Sequence, residues 1–244
     1  MTDSILFSGD DRLEGILEWP DAAQPSGAAA GIGAPAQPHP VAGGVVIAHP
    51  HPLYGGTMAQ PVVFRVARAC RDEGFAALRF NFRGVGRSGG HYSGVDEHRD
   101  VEAALAYLRG RLPQPPGGRR APLGLAGYSF GSMMAALAAG SSTVPVDALA
   151  LIAFVVDWEE APPGVLDGLS AFKGPVLALC GETDDLAPPE VVDHALRRVG
   201  VDYRLTVLQG TGHFFEHRQK EVGEHVAAFF AETLGAGHRP GLPR

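Results

Sequence analysis

The chain has 244 residues, 45% of them hydrophobic and 19% charged, a composition typical of a globular protein with one large core. Its formal net charge of −7 disfavours a nucleic acid or an anionic membrane as a partner. No apolar run approaches the roughly 20 residues of a membrane-spanning helix. The acidic N-terminus lacks a secretory signal pattern, and we therefore expect a cytoplasmic protein.

Short apolar runs alternate with helical patterns along the chain. Two early strands, "SILFS" and "LEGILEWP", predict an antiparallel hairpin at one edge of a sheet. Later strands are predicted at 43–50, 75–82, 122–129, 147–156, 175–181 and 203–210, and helices at 60–73, 96–109, 131–139, 189–199 and 216–234. Near-continuous apolar strands suit a parallel sheet that is covered on both faces. The alternation predicts a doubly wound, mostly parallel α/β sheet in a single domain over residues 1–244.

Two segments fall outside this pattern. Residues 21–42, rich in Ala, Gly, Pro and Gln, are predicted to form a flexible insertion, and residues 235–244 a frayed tail. The two cysteines, Cys70 and Cys180, lie in a predicted helix and an apolar strand. We interpret them as buried free thiols, which suits a reducing compartment.

A serine stands between a predicted strand and a predicted helix in "LGLAGYSFGSMMAALAAG". Ser129 has Gly127 and Gly131 two residues to either side, which is the G-x-S-x-G pattern of a nucleophile elbow. A sharp strand-to-helix turn strains the serine backbone, and the glycines remove the collisions that side chains would cause there. The alternative is that small residues only let the helix pack against the sheet.

A serine hydroxyl needs a base, and the base needs a carboxylate to orient it. His213 follows the predicted strand 203–210 in a loop, and Asp184 follows the predicted strand 175–181. Both therefore lie where open α/β sheets build their sites. We predict a Ser129, Asp184 and His213 triad. Alternatives are a solvent-facing His213, an Asp184 that only caps a helix, and a role for Asp185 or Asp157 as the acid.

The segments "AHPHPLYGGTM", "LRFNFRGVGRSGG" and "LAGYSFGS" together resemble the α/β-hydrolase superfamily, and the resemblance covers nearly all of the chain, from Val45 to Leu234. They are most similar to a branch of small bacterial members near the dienelactone hydrolases and the peptidase-like members. The acid loop of that family, G-x-x-D-x-x-x-P, matches Gly181, Asp184 and Pro188. The resemblance implies hydrolysis of an ester, thioester or amide through an acyl-serine.

Acyl transfer also needs donors for the oxyanion. The resemblance assigns one to the amide of Phe130 and the other to the loop "HPHPLYGG". Its prolines have no N–H group, so the candidates are the amides of His51, Leu53 and Tyr54 or the Tyr54 hydroxyl. Alignment with the family's His-Gly pattern favours His51. A metal site at His49 and His51 is the weaker alternative, because no matching carboxylate loop accompanies the two histidines.

Many members of the superfamily carry a helical cap before the acid strand. Here residues 157–174 have room for only one or two helical turns, so we predict no substantial cap and an open, shallow site. A short-chain ester, or the exposed end of a larger molecule, would fit such a site better than a long-chain lipid. Trp158, Phe214 and Tyr128 are candidates to line it, and plain packing is the alternative for each.

The stretch "GVGRSG" at 84–89 matches the G-x-G-x-x-G of dinucleotide sites. No helix opens directly after it, so a bound phosphate would lack a helix N-terminus. We interpret its glycines as keeping the loop clear of the nucleophile. Arg83 and Arg87 are expected to pair with carboxylates such as Asp96, or else to contact an acidic substrate.

These observations predict a serine hydrolase of a carboxylic ester or thioester that needs no cofactor and no metal. The expected partner is a small-molecule ester, thioester or amide. A peptidase or amidase on the same scaffold is the first alternative, and a catalytically silent binding protein is the second. No heptad pattern predicts a particular oligomeric state.

Overall fold

A computed structural model describes residues 2–8, 11–20, 41–113, 120–159 and 161–235. The predicted insertion at 21–42 lies outside the described residues except for its last two positions, and the predicted tail does so from residue 236. Within the described part of the chain, no helix combines the length and the apolar character that crossing a membrane requires.

The described residues form an eight-stranded sheet in the order β1-β2-β4-β3-β5-β6-β7-β8. Its strands are β1 Thr2–Ser8, β2 Arg12–Glu18, β3 Gly43–Ala48, β4 Phe75–Phe80, β5 Leu123–Tyr128, β6 Ala148–Ile152, β7 Val176–Gly181 and β8 Tyr203–Leu208. The hairpin β1–β2 is antiparallel, and β2 also pairs antiparallel with β4. The remaining pairs are parallel. The predicted mostly parallel sheet with an antiparallel edge hairpin is confirmed.

Helices cover both faces of the sheet. They are α1 Pro61–Asp72, α2 Glu97–Arg111, α3 Phe130–Ser141, α4 Val165–Ala171, α5 Pro189–Val199 and α6 Gln219–Leu234. A Cβ atom on Gly44 would meet Leu108 of α2, whereas one on Gly124 would meet Phe230 of α6. Gly124 lies opposite Val45, the residue after Gly44, so the two helices pack on opposite faces. This two-sided cover explains why strands β3 to β7 are buried along their whole length.

Between β6 and β7 the described chain forms only the short helix α4, so no cap domain covers the sheet edge there. This confirms the predicted uncapped architecture. Cys70 and Cys180 are free and buried, as the sequence predicts. Burial raises the pKa of the Cys180 thiol to about 12, which makes it a packing residue at neutral pH.

Two local features differ from the predicted elements. Helix α6 begins at Gln219 instead of residue 216, because Phe215 and His217 adopt positive φ values of 50° and 62°, which a right-handed helix does not allow. The loop after β3 contains a short 3-10 helix, Pro52–Tyr54, which the sequence did not predict.

Candidate active site

The backbone at Ser129 is strained in the way that an elbow requires. Its φ is 53° and its ψ is −119°, between the end of β5 and the start of α3. A Cβ atom on Gly127 would lie 2.2 Å from the carbonyl oxygen of Gly131, and one on Gly131 would lie 2.5 Å from the carbonyl oxygens of Ala48 and His49. Only glycine fits at these two positions, so the sharp turn depends on both of them.

Hydrogen bonds connect the three predicted triad residues. His213 Nε2 lies 2.9 Å from Ser129 Oγ, and His213 Nδ1 lies 2.9 Å from Asp184 Oδ2 and 3.0 Å from Oδ1. A carboxylate only accepts hydrogen bonds, so Nδ1 carries the proton and Nε2 is free to accept the serine proton. The three residues come from loops after β5, β7 and β8, as the sequence predicts.

Asp184 is positioned by its own loop. Its Oδ1 accepts hydrogen bonds from the amides of Leu186 at 2.9 Å and Ala187 at 2.8 Å, and the residue is only 2% exposed. Asp185 is exposed, and Asp157 lines a separate cavity with Glu190 and Arg198. Among the three candidate carboxylates, Asp184 is the one that contacts the histidine.

The histidine loop is tied to the elbow by a residue whose role the sequence did not predict. The Tyr128 hydroxyl, which is buried, donates to the backbone oxygen of His213 at 2.9 Å. Burial and the nearby Asp184 charge raise the pKa of Tyr128 well above its usual value, so it stays a neutral donor. The only indication of this role in the sequence is that Tyr128 directly precedes the nucleophile. Its contact with the His213 backbone arises only in the tertiary structure.

The loop after β3 narrows the choice of a second oxyanion donor. Phe130 is the first residue of α3, so its amide has no acceptor within the helix. The amide of Leu53 donates to His51 Nδ1, and that of Tyr54 donates to the His51 carbonyl oxygen, both at 3.2 Å. The 3-10 turn therefore engages the Leu53 and Tyr54 amides, whereas Tyr54 also lines the groove and its hydroxyl stays a candidate donor. The His51 amide, which alignment with the family's His-Gly pattern favours, stays the predicted second donor.

The ring of His51 is clamped by aromatic side chains. Its Nε2 lies 2.8 Å from the Tyr92 hydroxyl, and since Nδ1 accepts from Leu53, Nε2 is the protonated nitrogen. Ring centroids of Tyr54, Tyr92, Phe130 and Trp158 lie 4.7 to 5.1 Å from that of His51. This packing fixes the loop before any substrate binds. Tyr92 was not predicted, because nothing in its sequence surroundings indicates a long-range partner.

The buried ring of His49 forms hydrogen bonds to the backbone next to the site. Its Nδ1 lies 2.6 Å from the carbonyl oxygen of Pro50, and its Nε2 accepts from the Phe82 amide at 3.1 Å. Burial, together with the neighbouring His51, lowers the pKa of His49 to about 4, so the ring is neutral at physiological pH. In the part of the chain that the structure describes, no group of three metal-ligating side chains includes it. The geometry assigns His49 a structural role.

A groove of about 380 Å³ opens above Ser129. The predicted Tyr128, Trp158 and Phe214 line it, together with Pro50, His51, Tyr54, Gln60, Ser129, Phe130, Met133, Val155, Leu186 and His213. None of these described lining residues is Asp, Glu, Lys or Arg. The groove can therefore hold an apolar, uncharged group beside the serine hydroxyl.

The glycine-rich loop at 84–89 folds back on the edge hairpin. The amides of Arg87 and Gly89 donate to Glu14 and to the Arg12 carbonyl oxygen, both at 2.8 Å. A Cβ atom on Gly86 would lie 2.5 Å from the Asn81 side chain, and its φ is 58°. These glycines thus allow tight packing against the hairpin, and the amides named here hold the loop itself. That they also keep the loop clear of the nucleophile stays a prediction.

Arg83 pairs with a carboxylate as predicted, but the carboxylate is not that of Asp96. Arg83 instead binds Asp100, with Nη2 2.7 Å and Nε 3.1 Å from Oδ1, and both side chains are buried. Asp96 lies 3.6 Å from Arg99. Because α2 begins at Glu97, Asp100 lies one turn inside that helix and Asp96 lies outside it. Arg83 therefore ties the loop after β4 to α2.

Known proteins match this chain over most of its length. A solved α/β serine hydrolase homologue from Coxiella burnetii is 30% identical, with 94% of this chain and 97% of that chain covered and a TM-score of 0.74. XC6422 from Xanthomonas campestris, an α/β serine hydrolase without a lid, is 25% identical, with 99% and 97% coverage and a TM-score of 0.75. An uncharacterized protein of Rickettsia prowazekii is 28% identical over 91% of this chain and 86% of its own length.

The family model for serine aminopeptidase, S33, matches residues 53–172. The chain belongs to the α/β-hydrolase superfamily, within its serine hydrolases. Like the Xanthomonas protein, it has no lid over the sheet edge in the part of the chain described.

Proposed function

We propose that the protein hydrolyses carboxylic esters or thioesters through a covalent acyl-serine. The observation that carries this proposal is the unbroken hydrogen-bond chain from Asp184 through His213 to Ser129, which ends on a serine held at positive φ. In this mechanism His213 takes the Ser129 proton during attack on the carbonyl, and then gives it to the leaving group. Asp184 holds the ring in one tautomer and stabilises the imidazolium.

The tetrahedral intermediate places its negative oxygen between two backbone amides, those of Phe130 and His51. Such donors are already in position before the reaction begins, so they need no reorganisation when charge develops. Each lowers the activation barrier by roughly 3–4 kcal/mol. The packed His51 ring and its bond from Leu53 support a preformed oxyanion site. Water then repeats the attack on the acyl-serine.

The size and openness of the groove favour a short acyl chain or the exposed end of a larger molecule. About 380 Å³ lies at the small end of the range for ligand pockets. No described element covers the sheet edge between β6 and β7 beyond the short helix α4, so a long chain would stay in contact with water. A long-chain lipid would gain little from such a site.

A peptidase is the second candidate, because the matching family model is that of a serine aminopeptidase. An aminopeptidase must accept a free α-ammonium group beside the scissile carbonyl, and carboxylates usually bind it. Among the described groove residues no Asp or Glu is present, and the Asp184 carboxylate is already bound by His213 and two amides. This charge pattern favours a neutral ester over an aminoacyl amide.

The proposal is tested by measuring turnover of para-nitrophenyl esters of graded chain length, with matched thioesters and aminoacyl amides. We expect short esters to be the best substrates. The Ser129→Ala variant should lose roughly a thousandfold or more in kcat, while Ser170→Ala, on the exposed face of α4, should keep wild-type turnover. Amide turnover above ester turnover would favour the peptidase, and undiminished turnover in Ser129→Ala would disprove the mechanism.

A further inference from the structure

The chemistry of acyl transfer determines on which side of the site the leaving group lies. His213 Nε2, 2.9 Å from Ser129 Oγ, has to give its proton to the departing oxygen or sulfur. The leaving atom must therefore come within hydrogen-bond reach of that nitrogen. The oxyanion points toward the Phe130 amide instead, and the acyl chain takes the remaining direction. This step rests on the proposed function.

Two exposed apolar side chains belong to the loops that carry His213 and Asp184. Phe214 directly follows His213, and its ring stands edge-on to the imidazole at an angle of 88°, with centroids 5.4 Å apart. Leu186 belongs to the acid loop, two residues after Asp184. Both side chains line the groove, yet Phe214 is 65% and Leu186 is 59% exposed.

The backbone holds both side chains in place. The Leu186 amide donates to Asp184 Oδ1 at 2.9 Å, and the Phe215 amide donates to the Gly212 carbonyl oxygen at 3.2 Å. The bonds that fix the catalytic acid and the histidine loop thus also fix Leu186 and Phe214. Because these backbone hydrogen bonds fix the two loops, the apolar side chains of Leu186 and Phe214 stay exposed to water.

Exposed apolar surface is concentrated around this site. Among the described residues, the exposed large hydrophobic side chains are Leu53, Tyr54, Val95, Leu186 and Phe214. All but Val95 belong to the loops that border the groove. Such concentration marks a binding surface and not random scatter, and the described lining residues offer no charge that would hold an ionic group.

We propose that Phe214 and Leu186 form the leaving-group subsite, and that it selects esters or thioesters whose departing alcohol or thiol is uncharged and apolar. In the acylation step the Ser129 oxygen bonds to the acyl carbon, and the bond to the leaving atom breaks. The proton that His213 took from Ser129 moves from Nε2 to the leaving atom. The product departs as a neutral alcohol or thiol, and the acyl group stays on Ser129.

The test compares acetate esters of phenol, para-tert-butylphenol and para-hydroxymethylphenol, whose leaving groups have similar acidity and different polarity. Because kcat/KM covers only the steps up to acylation, it reports the leaving group. We expect wild type to favour the tert-butyl ester over the hydroxymethyl ester by about tenfold or more. The double variant with Phe214→Ala and Leu186→Ala should reduce this ratio to less than about threefold, whereas Val95→Ala should keep it.

A second ratio separates a subsite from a general disturbance of the site. The preference for phenyl butyrate over phenyl acetate reports the acyl side, and it should be the same in wild type and in the double variant. Equal kcat/KM for all three acetates in wild type would overturn the subsite while leaving the hydrolase intact, as would a double variant that changes both ratios together. Absence of Ser129-dependent ester turnover would instead remove the proposed function itself.

Discussion

At Ser129 the chain accepts a backbone conformation that costs about 1–3 kcal/mol in a non-glycine residue. The surrounding structure holds it there, because the Ser129 amide donates to the Ile152 carbonyl oxygen at 2.8 Å and the flanking glycines let β5 and α3 approach closely. Backbone strain of this kind persists only where the surrounding structure enforces it, as at active sites. Here it directs the hydroxyl toward His213.

Asp184→Asn tests the tautomer argument. The asparagine oxygen can still accept from the Leu186 and Ala187 amides, so the fold should survive. An amide group stabilises an imidazolium poorly and can bind the wrong tautomer, so we expect kcat to fall about 10⁴-fold. Esterase kinetics with a circular dichroism spectrum measures both. Asp185→Asn, which changes the exposed neighbour, is the matched control, and equal losses in the two variants would contradict the assignment.

His49 should make the folded state sensitive to acid. Its pKa is lowered to about 4 in the folded protein, so between about pH 6.5 and pH 4 the unfolded chain binds the proton and the folded chain does not. The free energy of unfolding therefore keeps this contribution above pH 6.5 and loses up to about 3 kcal/mol as the pH falls from 6.5 to 4.

The measurement is denaturant unfolding of wild type and of His49→Gln at a series of pH values. Glutamine can offer an oxygen to the Phe82 amide in place of Nε2 but does not titrate. The stability advantage of wild type over the variant should shrink as the pH falls from 6.5 to 4. A pH-independent difference for His49→Gln would contradict a neutral buried imidazole.

At the level of elements, the junction of β5 and α3 sets the distance between the nucleophile and the oxyanion loop. Gly131 and Gly110 are both helical glycines, and alanine has the higher helix propensity at either position. A Cβ atom at 131 would lie 2.5 Å from two carbonyl oxygens of the β3 end, whereas one at 110 meets nothing within 4 Å.

Gly131→Ala should therefore destabilise the fold by about 3 kcal/mol and move the Phe130 amide away from His51, lowering turnover as well. Gly110→Ala should stabilise it by roughly 0.5–1 kcal/mol without affecting turnover. Thermal unfolding of the two variants gives the comparison. Equal thermal stabilities would show that the elbow is looser than the close contacts indicate.

The element order was predictable because each buried parallel strand is a short apolar run with punctuated ends. The beginning of α6 was not, since positive φ at Phe215 and His217 follows from how the histidine loop packs. The 3-10 turn at Pro52–Tyr54 escaped prediction for a similar reason. It is stabilised by a bond from the Leu53 amide to the His51 ring, a side-chain contact that residue spacing does not reveal.

Over the whole molecule, the sheet brings together residues that are far apart in sequence. The triad could be predicted because parallel strands end at one edge, so loops after β5, β7 and β8 meet there. The residues that position the triad and the loops around it could not be predicted from the sequence. Tyr128 hydrogen bonds to the His213 backbone, and Tyr92 hydrogen bonds to the His51 ring. Arg83 pairs with Asp100, and in all three cases only tertiary packing brings the partners together.

Covalent capture of the nucleophile is the most direct measurement of whether these loops form one catalytic unit. A fluorophosphonate should modify the wild-type protein once, and tandem mass spectrometry should locate the adduct on Ser129. Replacing His213 with alanine should slow the modification by orders of magnitude, because the hydroxyl then lacks its base. An adduct on another residue, or equally fast modification without His213, would contradict the proposed serine mechanism.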